Sequence, residues 1–212
     1  MKPELRRMLE RKQFPGIAAR AAGRKRTLGV LMSLTYDADR LIAWRAAEAQ
    51  GWAAARVAGT NVEFVRSHLR RLHWLLSEES GGICRLAPQS MAEIVVRTGD
   101  LFADYGAITA TLLTDMAEED LASGFRASIL WAVGRLAPVA PEHVAPVLSD
   151  VVNSLDDPDP VVRGLSVWCL LECGRRDLVD ARGGLSGDRS RLEIYRDGDF
   201  FATTPRELLG DS

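Results

Sequence analysis

Glu78-Glu79-Ser80-Gly81-Gly82 is the segment of this 212-residue chain best equipped for chemistry, with two adjacent carboxylates, a hydroxyl and two glycines. Carboxylates can exchange protons, and a glycine pair lets backbone approach a ligand or adopt positive φ. His73 and Trp74 stand just before it, at the end of an expected helix. The same segment also reads as a longer turn with Glu78 and Glu79 solvated. A second constellation is aromatic: Trp131 and Trp168, with Trp44, Arg45 and Glu48 at related positions. Placed on one surface, such residues would make an anchor strip for a partner.

Metal chemistry has little support. Cys169 and Cys173 share a helix face, but no His or acid stands beside them at ligand spacing, and Cys84 is remote. His68 and His73 would sit about 140° apart around a helix, a poor ligand pair. His143, after Pro141-Glu142, is expected in a solvated first turn. There is no Gly-x-Ser-x-Gly, no phosphate-binding loop and no Gly-x-Gly-x-x-Gly. No catalytic residue, metal or cofactor is assigned.

The chain is 47% hydrophobic and 26% charged with net charge -2, the make-up of an ordinary globular protein. No apolar run is long enough for a membrane span, the N-terminus lacks a signal-peptide pattern, and three cysteines make no disulfide framework, so a cytoplasmic protein is expected. Residues 1–30 hold nine basic residues against Glu4 and Glu10, which leaves the other 182 with a charge of -9. A basic head could steer an anionic partner. Two amphipathic helices with solvated arginines explain it more simply.

Three segments superimpose without gaps, led by Asp37, Asp120 and Asp157. Counting from each Asp, Ile42, Phe125 and Val162 fall at +5, Ala46, Ile129 and Ser166 at +9, and Ala49, Ala132 and Cys169 at +12. Intervals of four and three are the buried stripe of one helix face. The leading acids suit the free N–H groups and the positive end of a helix N-terminus. Arg126 and Arg163 stand at +6, and Glu48, Trp131 and Trp168 at +11, about 100° from the stripe, a position that is polar in the usual pattern; the two indoles there read either as a surface strip or as packed between repeats or under the tail. A degenerate copy begins near Glu78, and Pro88 is expected to open its second helix. Partner helices are predicted over 24–35, 61–77, 100–115 and 141–154.

Asp157-Pro158-Asp159-Pro160-Val161-Val162-Arg163 resembles the turn and second-helix start of a HEAT repeat of the bilin-lyase-like bacterial type. Asp37-Ala38-Asp39 with Trp44 to Ala49 resembles the same motif, with Ala43 in place of the usual arginine. Phe125-Arg126 with Leu130 to Gly134 is a third likeness, lacking the Asp-Pro turn. Over about residues 15–175 the chain is also similar to small bacterial HEAT proteins without an assigned function, most recognisably at Glu78 to Ile83 and Phe125 to Trp131. The resemblance implies an all-α, right-handed α-solenoid of about four helix pairs, since one pair cannot bury its apolar face alone. It also implies a ladder in which Arg126 and Arg163 meet Asp120, Asp157 or Asp159 of a neighbouring turn.

After Gly174 the repeat stops. Residues 182–188 read as a linker, and Arg196-Asp197-Gly198-Asp199 between alternating β-formers reads as a hairpin. Thr204-Pro205-Arg206-Glu207 fits a capping box. Residues 1–175 are therefore expected as the solenoid, and 176–212 as a linker, a β-hairpin and a short helix capping it. The expected function is a non-enzymatic scaffold that binds another protein through the second-helix face and the Glu78–Gly82 segment. The alternatives are a lyase-like handler of a tetrapyrrole or cofactor, with Glu78 or Glu79 as acid-base and the tryptophans stacking the ligand, and nucleic-acid binding by the basic N-terminus. The acidic body argues against the last, because HEAT-like DNA glycosylases use a basic channel. No His-Glu pair of the di-iron HEAT hydroxylase type is present.

Overall fold

The computed structural model describes residues 1–76, 86–115 and 123–210. The described residues are all-α apart from one hairpin, with helices α1 (Lys2–Glu10), α2 (Phe14–Gly23), α3 (Arg26–Leu34), α4 (Arg40–Ala58), α5 (Val62–Trp74), α6 (Ala87–Thr98), α7 (Ala103–Asp115) and α8 (Ser123–Leu136). Then come α9 (Pro141–Val144), α10 (Leu148–Asn153), α11 (Pro160–Glu172), α12 (Arg176–Asp180), strands β1 (Leu192–Arg196) and β2 (Asp199–Thr203), and α13 (Pro205–Leu209). Contacts divide it into two compact units, Met1–Tyr105 with Asp197–Asp199, and Gly106–Arg196 with Phe200–Ser212.

The first unit is built around α4. Ile42, Ala46 and Ala49 are buried at the stripe positions, and α4 packs against α2, α3 and α6. The contact with α6 is a close approach of backbones: a Cβ on Gly51 would lie 2.3 Å from the Glu93 carbonyl oxygen, so only glycine fits. Leu5 and Leu9 of α1 are fully buried. They stand to Arg6 as Phe125 and Ile129 stand to Arg126, so α1 repeats the second-helix stripe from the first residues of the chain. Asn61 caps α5 through the Phe64 N–H at 2.9 Å. Pro88 stands in the first turn of α6, as its missing N–H allows.

In the second unit α8 packs against α11. Phe125, Ile129 and Ala132 of α8 and Val162, Ser166 and Cys169 of α11 are buried. The helix predicted over 141–154 is broken into α9, a 3-10 turn at Ala145–Val147 and α10. Pro146 has no N–H to donate, and its ring clashes with the preceding turn. The predicted linker over 182–188 is anchored: Leu185 is buried, and Asp188 accepts from Arg163 at 3.1 Å, while its backbone carbonyl accepts from the Arg206 N–H. Helix α12 is five residues long, too short for periodicity to show in the sequence. The β1–β2 turn has φ of 50° at Asp197 and 85° at Gly198, the positive pair a two-residue hairpin needs. Thr204 Oγ1 accepts from the Glu207 N–H and starts α13.

Candidate functional site

The Asp-x-Asp turns show how one sequence motif divides its labour. The N-caps are Asp39 and Asp159, two residues after the leading Asp37 and Asp157 expected in that role, with Asp39 accepting from the N–H groups of Leu41 and Ile42 and Asp159 from that of Val161. Asp37 and Asp157 stand two residues earlier and accept from the N–H of Asp39 and of Asp159, closing the turn. Each also receives a guanidinium 31 residues upstream, Arg6 to Asp37 at 3.0 Å and Arg126 to Asp157 at 3.2 Å. Burial pushes the Asp37 carboxyl up, but its bonds to the Asp39 N–H and Arg6 outweigh that and hold it below the usual carboxylate range. Arg163 donates to the carbonyls of Asp157 and Pro158 and to Asp188, so its carboxylate partner lies in the segment after the repeat. Asp120 lies outside the described residues.

Of the two readings of the +11 face, the surface strip is not what forms: the indoles pack under the C-terminal segment. Glu48 is 4% exposed, Trp131 2% and Trp168 6%. The chain's own hairpin covers the two tryptophans: the Trp131 indole N–H donates to the Tyr195 carbonyl at 3.0 Å. Trp131 stacks on Trp168 at 6.3 Å between centroids and meets Tyr195 edge-on. Gly134 makes room for this, since a Cβ there would lie 2.6 Å from the Trp168 ring.

Glu48 is buried in a cluster on α4 and α6. Its carboxylate accepts from Arg97 at 3.2 Å, which also pairs with Glu93, and the Arg97 guanidinium lies 4.2 Å from the Trp52 ring centroid. A buried carboxylate requires such a partner. Trp44 is half-buried against Ala43, Ala47 and Leu86. Arg45 is 7% exposed and donates to the carbonyls of Leu9, Glu10 and Gly198 and to the Asp199 carboxylate. Trp44, Arg45 and Glu48 are thus on one helix but serve three separate sets of contacts. Trp74 is 58% exposed. Glu78, Glu79, Ser80, Gly81 and Gly82 lie outside the described residues, as does Cys84.

A pocket of about 440 Å³ opens in the second unit where the hairpin meets α11 and α13. Trp168, Leu171, Ile194 and Leu208 form its apolar wall, and the Arg196–Glu172 ion pair at 2.6 Å lies on it. Phe201 stands on its rim, 55% exposed. The sequence carried a signal for this residue: adjacent Phe200 and Phe201 in a strand must point to opposite faces, and Phe200 packs on Tyr195. The Cys169 thiol, hydrogen-bonded to Cys173 and fully buried, is pushed well above its ordinary pKa. Among the described residues no group of three His, Cys, Asp or Glu could hold a metal ion.

In the first unit a buried polar chain crosses three helices. Ser90 Oγ donates to the Leu86 carbonyl and accepts from Gln50 Nε2. Gln50 therefore presents Oε1 to His68 Nε2, 2.7 Å away, and that nitrogen carries the ring proton. Burial, and then the charge of Arg71, push the His68 pKa down from 6.5 to about 4. The folded state thus binds fewer protons than the unfolded chain between these values. Stability is complete above pH 6.5 and falls as pH drops toward 4, by up to about 3 kcal/mol. Urea denaturation of the wild type and His68→Gln at pH 7 and 4.5 checks this, since the variant should lose less of its stability over that interval.

The descriptive match to known families falls in the second unit, where residues 124–170, covering α8 to most of α11, fit the HEAT-like repeat. An uncharacterised protein of Archaeoglobus fulgidus is 32% identical over 182 residues, spanning 84% of this chain and 91% of its own length. The chain belongs to the HEAT-like repeat family. The buried stripes and Asp-x-Asp turns of this HEAT-like protein are what such a repeat requires, because each helix pair completes its core against a neighbour. No helix among the described residues is long and apolar enough to cross a membrane.

Proposed function

We propose that this HEAT-like protein is a non-enzymatic scaffold for another protein, and that the partner inserts an apolar side chain into the pocket between α11, the hairpin and α13. The observation that carries this reading is Phe201, an aromatic held 55% exposed at the rim of an apolar pocket. Exposed aromatics beside a preformed pocket are the usual energetic centre of an interface. The second-helix face enters through Trp168 of α11, which lines the pocket. Residues 176–212 act in this scheme as the cap of the repeat region 1–175, and Trp74 with Glu78–Gly82 as a second contact. On the Asp157–Arg163 turn we assign the chain to the bilin-lyase-like bacterial type, working in the cytoplasm. Ligand stacking of the lyase-like kind finds no support in Trp131 and Trp168, which stack on each other.

Affinity capture with wild type, Phe201→Asp and Trp74→Ala tests the assignment. Both side chains are exposed, so stability should stay within about 0.5 kcal/mol of wild type. Phe201→Asp should weaken the captured partner's binding by about thirtyfold or more. A partner held equally by wild type and Phe201→Asp overturns the pocket assignment.

A further inference from the structure

We propose that the cleft between α3 and α5 is a binding site for a small phosphate monoester with an apolar body. A pocket of about 300 Å³ is lined there by Arg26, Gly29, Met32, Phe64, Ser67, His68 and Arg71. Neither Arg26 nor Arg71 has an acidic or carbonyl hydrogen-bond partner among the described residues, whereas Arg66, Arg70 and Arg97 of the same unit each hold a carboxylate. Guanidinium groups with no such partner among the described residues, set on one pocket, are suited to an oxyanion, which they grip through paired N–H donors. Lys25 adds a third cation, its ammonium 5.8 Å from the Phe64 ring centroid.

The local electrostatics point the same way. Helix α3 has no acid in its first turn, and Lys25 and Arg26 stand at its N-terminus, where the helix dipole disfavours cations. A bound anion relieves that repulsion and the repulsion between Arg26 and Arg71 across the cleft. The wall behind them is the His68 ring, more than nine-tenths buried and held by Gln50. Met32, Phe64 and Gly29 provide the apolar part, and nothing lies within 4 Å of where a Gly29 Cβ would stand, so glycine leaves the cleft open without any backbone requirement for it. A bare inorganic ion would leave this apolar surface unused. The site is separate from the Phe201 pocket and does not rest on the scaffold reading.

Phenyl phosphate, inorganic phosphate and benzyl alcohol, each titrated into the full chain while backbone amide resonances are followed, test it. Phenyl phosphate should shift the amides of Gly29, Ser67 and His68 and bind about tenfold tighter than inorganic phosphate, with benzyl alcohol weaker than either. Arg26→Gln and Arg71→Gln, both at exposed positions, should each weaken phenyl phosphate about tenfold. Gly29→Leu keeps every charge and fills the cleft, and it should abolish phenyl phosphate binding while the spectrum elsewhere stays wild-type. No shifts at millimolar phenyl phosphate, equal affinity for the two phosphates, or unchanged binding by Gly29→Leu would each overturn the proposal. So would a DNA duplex that displaces phenyl phosphate with steep salt dependence, which would reassign these cations to nucleic acid.

Discussion

Replacing Arg45 by alanine should destabilise the protein by about 3–5 kcal/mol, from the loss of a buried guanidinium that satisfies three carbonyls at once. Leu9 and Glu10 end α1, where the last carbonyls have no partner within the helix and the dipole leaves them negative. Arg45 Nη1 reaches both, at 3.1 and 3.0 Å, while Nε reaches the Gly198 carbonyl at 2.7 Å. Nη2 meets Asp199, whose carboxyl Lys12 and Arg45 hold below the usual carboxylate range. The hairpin turn is thereby fixed against α1, and the fit is tight: a Cβ on Gly198 would lie 3.0 Å from Lys12 Cδ and 3.3 Å from Phe14. Lysine cannot fork to these acceptors, so Arg45→Lys should recover less than half of the loss. Asp199→Asn should cost far less than Arg45→Ala, since that carboxylate is 42% exposed and its ion pairs are screened. Urea denaturation of the three variants gives the order. A cost under about 1 kcal/mol for Arg45→Ala would mean that the turn does not depend on the guanidinium.

Arg45 also marks where sequence reading stops. The stripe at +5, +9 and +12 was legible because period alone decides which residues of a helix face its neighbours, and Ile42, Phe125 and Val162 are all buried. The caps were legible only to within two residues: the pattern puts them on the leading acids Asp37 and Asp157, whereas Asp39 and Asp159 take the helix N–H groups and the leading acids close the turn instead. The partner of Arg126 was partly legible, as one of three acids. That Arg6 makes the same bond to Asp37 was not, because the pairing joins residues 31 apart and nothing local to α1 announces it. Arg45 lies off the stripe and carries a charge, so a sequence reading puts it at the surface. Its burial follows from carbonyls at residues 9, 10 and 198 converging on it, and no periodicity of α4 encodes that. The outer pocket was hidden similarly, since the residues of 192–208 that line it read only as hairpin and cap.

Trp131 separates the two views most sharply. A tryptophan at a surface position should tolerate alanine with little effect on folding, whereas a buried one should cost about 3–5 kcal/mol. The indole is 2% exposed and lies against Trp168 and Tyr195, so the larger cost is expected. The variant also leaves the Tyr195 carbonyl without its donor. Trp131→Phe keeps most of the ring but not the N–H and should cost about 1–3 kcal/mol, isolating that bond. Opening the space beside Trp168 should move its fluorescence toward longer wavelength in Trp131→Ala. The effect on binding should follow from the same change, because β1 would lose the Trp131 contact that ties it to α8, and Ile194 and Arg196, two lining residues of the Phe201 pocket, lie on that strand. Loss of a partner in Trp131→Ala would therefore accompany loss of stability, while Phe201→Asp should lose the partner at full stability. If Trp131→Ala instead stays within about 1 kcal/mol of wild type, the hairpin does not seal the second-helix face, and the surface strip expected from the repeat would regain its claim.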